Sequence, residues 1–141
     1  MGVFDSLKSF FGGKDQQLGL PKNPIITLNY SLLPMRLRAH SSERLVLTIN
    51  IQYLGDKPSI CSLTIFLQTG LSFDTTNLNK RKEIRLGQLE NGEKKTQDVE
   101  IYSTVNTPPG DYKVQVKAHV HDTDYNKVVR SFEKSFEIRV V

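Results

Sequence analysis

The stretch DYKVQVKAHVHD at 111–122 alternates apolar and polar residues without interruption from Tyr112 onward. Successive side chains of a strand point to opposite faces, so this spacing puts Tyr112, Val114, Val116, Ala118 and Val120 on one face. Lys113, Gln115, Lys117, His119 and His121 fall on the other. A helix would scatter both sets around its circumference, so a half-buried strand is the conformation that fits. The same period recurs in RLVLTINIQY at 44–53, which aligns Leu45, Leu47, Ile49, Ile51 and Tyr53, and in ICSLTIFLQ at 60–68, which aligns Cys61, Leu63, Ile65 and Leu67. VVRSFEKSFEIRVV at 128–141 groups Val128, Phe132, Phe136, Ile138 and Val140, with Lys134 on that same face, an arrangement that predicts a bulge or bend.

Fainter alternation marks 25–33, 82–87 and 97–103, the first of them stopped by Pro34. Turn chemistry separates the runs. GDKP at 55–58 predicts an antiparallel pair of 44–53 with 60–68. The Asn-Gly of ENGE at 90–93 predicts a hairpin that joins 82–87 to 97–103. About seven strands at turn-bounded intervals, with no convincing helix among them, give an all-β, antiparallel sandwich over residues 25–141.

The order N-I-Q-Y-L-G-D-K-P, T-G-L-S-F-D, I-R-L-G-Q-L-E-N-G-E-K-K and T-P-P-G-D-Y-K-V-Q-V-K-A resembles immunoglobulin-like domains of the CARDB and NEW3 type over roughly residues 44–121. The resemblance implies an immunoglobulin-like sandwich. Thr69 stands where those domains usually carry proline. Tyr112, just after Gly110, occupies the place where sandwiches set a tyrosine corner, with the ring in the core and the hydroxyl on nearby backbone.

The chain opens MGVFDSLKSFFGGK. At 100° per residue, Val3, Phe4, Leu7, Phe10 and Phe11 fall within an arc of roughly 120°, which defines an amphipathic helix over 1–11 that Gly12-Gly13 stops. A helix this short needs a surface to fold against. Its own sandwich, a membrane interface, a groove on another protein and a second copy of the chain are the candidates. Residues 12–24, GGKDQQLGLPKNP, read as a flexible linker. MGVFDS also satisfies the pattern for myristoylation of Gly2.

Chemistry is sparse. HVHDTD at 119–124 sets His119 and His121 on one face, which makes them the candidate metal ligands, but they share that face with Lys113 and Lys117, and His40 is the one other histidine. The sequence has no G-x-S-x-G elbow and no glycine-rich phosphate loop. Cys61, the single cysteine, belongs to an apolar face and can form no intrachain disulfide. The expectation is therefore no enzymatic activity, no cofactor and no metal. NKRKEIR at 79–85 concentrates Lys80, Arg81, Lys82 and Arg85, a candidate contact for phosphate or anionic lipid. The net charge of +4, with 15 acidic residues mixed among 19 basic ones, is a mild bias, and because the aromatics mostly fall on core-facing positions a nucleic-acid partner is not expected. With no leader sequence evident, a cytoplasmic location, possible attachment at the membrane periphery included, is expected. The functional expectation is a non-enzymatic interaction or adaptor module recruited through its amino-terminal helix to a membrane or a protein partner. The alternative is an assembly subunit that self-associates through the helix or an edge strand as a homo-oligomer.

Overall fold

The alternating segments form eight strands in the computed structural model, which describes residues 25–141. They are β1 (Ile26–Leu33), β2 (Arg36–Leu37), β3 (Arg44–Tyr53), β4 (Ser59–Leu67), β5 (Arg81–Leu89), β6 (Lys94–Tyr102), β7 (Gly110–His121) and β8 (Val128–Val140). Residues 1–24, with the amphipathic segment, the linker and Gly2, lie outside the described residues. A three-stranded sheet, β1-β3-β6, packs on a five-stranded sheet, β2-β8-β7-β4-β5. All pairings are antiparallel except the short parallel β2–β8 contact, where Arg36 and Leu37 meet Arg139 and Val140. The fold is an immunoglobulin-like β-sandwich. Two residues show no periodicity, so β2 has no signature in the sequence; it forms because the chain crosses from one sheet to the other at Pro34 and meets the end of β8.

Two predicted pairings are corrected by this topology. β3 and β4 do not pair across GDKP: β3 lies between β1 and β6, while β4 lies between β7 and β5. ENGE likewise makes a tight turn, with Glu93 N–H donating to Glu90 O at 2.9 Å and Gly92 at φ 84°, but it carries the chain between sheets and not around a hairpin. Turn chemistry is a local property. It fixes where the chain reverses and leaves open whether the reversal is in the plane of one sheet or across the core.

The core lies between the sheets and takes the inward residues that alternation predicted. Leu45, Leu47, Ile49, Ile51, Cys61, Leu63, Ile65, Val114, Ala118 and Ile138 are among those buried. Each large aliphatic side chain so placed contributes roughly 1.5–3 kcal/mol. Tyr112 is buried in this core, and its hydroxyl donates to Pro108 O at 2.6 Å, as a tyrosine corner does. Tyr53 acts similarly at the opposite end, where its hydroxyl donates to Lys57 O at 2.5 Å and lies 3.0 Å from Ser59 Oγ.

No bulge forms at Lys134. The β7–β8 ladder is regular there, with Lys134 opposite Val116, and the side chain instead runs out along the sandwich rim until its ammonium lies 3.4 Å from Leu28 O. A lysine stem is long enough to cover apolar surface while its charge stays wet. The irregularity in β8 sits nearer the turn, opposite Val120 and His121.

Candidate functional site

Alternation leaves a second set of side chains on the outer face of the five-stranded sheet, and its centre is a polar cluster. Ser62 and Thr64 of β4 lie beside His121 and His119 of β7, with Ser62 Oγ 2.7 Å from His121 Nε2 and Thr64 Oγ1 3.2 Å from His119 Nε2. His119 Nδ1 is 2.9 Å from Ser131 Oγ on β8. Tyr125, from the β7–β8 turn, folds back over the cluster, its ring edge-on to His121 at 5.1 Å and its hydroxyl accepting from Gly87 N–H at 3.0 Å.

The sequence predicts a solvated strand end at 119–124. The structure corrects this for His121, which is 3% exposed, because the irregularity opposite it and the overlying Tyr125 seal it in. Its Nδ1 has no hydrogen-bond partner among the described residues. The His119 imidazole is held below its ordinary value, first by burial, then by the adjacent His121 and Lys117, with Glu83 opposing. The two rings lie 6.1 Å apart, and among the described residues no group of three or more His, Cys, Asp or Glu side chains is placed to hold a metal ion. Asp122 and Asp124 serve the turn instead: Asp122 N–H donates to Lys127 O, and Asp124 Oδ1 accepts from Asn126 N–H. Ser62, fully buried behind His121, has no approach for a substrate, so the pair is not a nucleophile and its base. Cys61 is also buried, and burial pushes its thiol up to about 11, away from the reactive thiolate.

The four basic residues of 80–85 do not converge. The Lys80 ammonium turns into its own loop, donating to Leu71 O at 2.6 Å and Asn77 Oδ1 at 2.9 Å, and burial lowers its pKa while Asp74 opposes. Arg81 and Arg85 point outward from β5, whereas Lys82 faces the other way and lines an open cleft of about 430 Å³ with Val46, Phe73, Asp98, Val99 and Glu100. Outward aromatics are the residues that sequence reasoning passed over. Phe66 lies under Arg81 and Lys117, at 5.9 and 5.6 Å, and Tyr125 lies 4.6 Å under Arg85. Phe66 was readable, since it falls between the inward Ile65 and Leu67, but Tyr125 sits in a turn with no period. Glu83 and Glu133 share this face, opposite Thr64 and Lys117, so it is mixed in charge. Val3, Phe4, Leu7, Phe10 and Phe11 lie outside the described residues.

No family model and no curated sequence matches the chain. Among solved structures it is similar to native α-2-macroglobulin of Escherichia coli spanning domain MG7 to the carboxyl terminus, with a TM-score of 0.58 and 19% identity over 82% of this chain and 16% of that one. It is also similar to the native conformation of the same protein determined by cryo-EM, at 0.55 and 18%, over 81% of this chain and 6% of that one. A PapD-like domain of human CEP192 aligns over 93% of this chain and 95% of that one, at 0.43 and 10%. The chain thus spans a small fraction of the macroglobulins, and its likeness to them, at these identities, establishes the fold alone. No helix among the described residues is long and apolar enough to cross a membrane.

Proposed function

We propose that this chain is a non-catalytic interaction module of the CARDB and NEW3 kind, acting in the cytoplasm and recruited through Val3, Phe4, Leu7, Phe10 and Phe11 to a membrane surface or a protein partner. What carries the reading is the burial of the candidate reactive groups Ser62, Cys61 and His121, Cys61 between the sheets and Ser62 and His121 on the outer face beneath Tyr125, while strand edges and loop tips face solvent. A domain arranged this way recognises by shape and edge rather than by reaction. Co-sedimentation with neutral and with anionic liposomes tests recruitment, comparing the whole chain with one that starts at Lys14. Binding that disappears on truncation is expected for a membrane partner. Equal sedimentation of both forms rejects the amino-terminal segment as the recruiter, and no binding by either leaves a protein partner, to be sought by pull-down with the same two chains.

A second reading, an assembly subunit that self-associates through an edge strand, is favoured by one observation: among the described residues, β1 carries no charged residue and is paired on one side only.

A further inference from the structure

Among the described residues, and leaving aside the two-residue β2, the sheet orders leave four strands with open backbone: β1 and β6 in the small sheet, β5 in the large one, and β8 beyond its short contact with β2. Open edges are templates for another strand, and proteins guard them with inward-pointing charges and bulges. Three of the four are guarded here. β5 sets Lys82 opposite the core residue Ile65 and is bulged opposite Cys61 and Ser62. β6 sets Lys95 opposite Ile51. β8 sets Lys134 opposite Val116 and is irregular opposite Val120 and His121. A second molecule pairing with any of these would have to bury or displace an ammonium group.

β1 carries neither device in its own sequence, and the one ammonium at its edge belongs to Lys134 of β8, which also lies 5.7 Å from the Tyr30 ring. ITLNYSLL carries no charge, its register with β3 runs unbroken from Ile26–Tyr53 to Leu33–Val46, and its inward residues Ile26, Leu28, Tyr30 and Leu32 oppose Tyr53, Ile51, Ile49 and Leu47. Uncharged segments of this length with strong β-propensity and no proline favour strand addition. Its backbone is also aimed outward in a definite pattern. Leu54 N–H donates to Ile25 O at 2.7 Å, and hydrogen-bonded positions alternate along an antiparallel ladder. Thr27, Asn29, Ser31 and Leu33 therefore bond to β3, and the N–H and C=O groups of Ile26, Leu28, Tyr30 and Leu32 point to the open side. The Lys134 ammonium reaches Leu28 O at 3.4 Å on that side, so this carbonyl faces outward and is held by an exposed side chain that an added strand displaces.

We propose that β1 pairs antiparallel with β1 of a second copy of this chain, joining the two small sheets into one continuous sheet. This rests on the self-association reading given above and names its surface. The occupant is a second copy because the edge complements itself. With the two-fold axis at Asn29, Leu28 stands opposite Tyr30 of the second copy and Ile26 opposite Leu32, so every outward backbone group of the strand finds a partner and no charges meet. Moving the axis to Tyr30 would set Ile26 against Pro34, which has no N–H to give. The inward residues then form apolar cross-strand pairs, and Tyr30, 38% exposed in the single chain and stacked on Phe136 at 3.8 Å, is covered. The Lys134 side chain leaves Leu28 O and returns to water.

The axis position supplies the test. Asn29 is exposed and meets its own copy at the close, non-hydrogen-bonded position, so Asn29→Lys opposes two ammonium groups there without touching the core of the single chain. Sedimentation velocity on the whole chain across a range of concentrations is expected to show a monomer–dimer equilibrium, whose dissociation constant Asn29→Lys raises at least about tenfold while the melting temperature extrapolated to low concentration is kept. Asn29→Cys is expected to cross-link into a disulfide dimer under mild oxidation, because Cys61 is buried and the new thiol faces its twin within disulfide reach. Thr96→Cys, equally exposed on guarded β6, is expected not to cross-link. A chain that stays monomeric at the highest concentration overturns both the pairing and the self-association reading. A dimer indifferent to Asn29→Lys, or one lost only when residues 1–13 are removed, overturns β1 as the surface and leaves self-association standing. Cross-linking of Thr96→Cys as readily as Asn29→Cys also rejects β1.

Discussion

Gly70 and Tyr112 depend on each other. Gly70 holds φ 116°, a conformation that side chains rarely adopt, and a Cβ there would overlap the Tyr112 ring that closes the core at this end. Gly70→Ala is expected to cost roughly 1–3 kcal/mol, read by denaturant unfolding. Tyr112→Phe, which removes only the bond to Pro108 O, is expected to cost about 1 kcal/mol. His119 supplies a pH dependence whose sign is fixed by its environment. Its folded pKa lies below the ordinary 6.5, chiefly through burial, so the unfolded chain takes up a proton at a higher pH than the folded one does. The contribution is intact above the unfolded value and is lost as pH falls through the folded value. Melting temperature is therefore expected to fall from about pH 7 to about pH 5, with a shallower fall for His119→Gln. Tyr112 was legible because a glycine, a tyrosine and an alternating run identify a strand entry. The burial of His121 was not, since alternation assigns it to the polar face and only the turn that returns Tyr125 encloses it.

The strands themselves were legible because one buried face imposes period two on each of them. Their neighbours were not, because period two is satisfied equally by a partner in the same sheet and by a crossing to the other. GDKP and ENGE have the composition of hairpin turns, and both turn out to link opposite sheets. Inward lysines are the element-scale signal that the sequence did offer, since Lys134 interrupts an apolar face for a reason that the topology supplies: β8 is an edge. The same reasoning makes Lys95→Val informative. The substituted side chain would pack onto the core opposite Ile51 yet leave β6 unguarded, so an unchanged or higher melting temperature together with severalfold faster aggregation, followed by light scattering, is expected.

At the scale of the whole molecule, Cys61 reports on cooperativity. It is buried between two sheets and its thiol is pushed up to about 11, so modification by a thiol reagent is expected to follow global unfolding, with the same denaturant midpoint as circular dichroism. A lower midpoint for modification would show that one sheet opens before the other. The two ends of the described chain leave from opposite poles: Ile25 is bonded to Leu54 beside the β3–β4 turn, and Val141 accepts from Ala39 at 2.6 Å and donates to Leu37 O at 2.8 Å beside β2. β1 and β8 run in the same direction in different sheets, and β2 couples them. Tension applied at residues 25 and 141 would then run along the strands, loading the β1–β3 bonds and the β2–β8 contact in shear, many at once and not one after another, so that the domain would act as a stiff mechanical link between whatever holds its two ends.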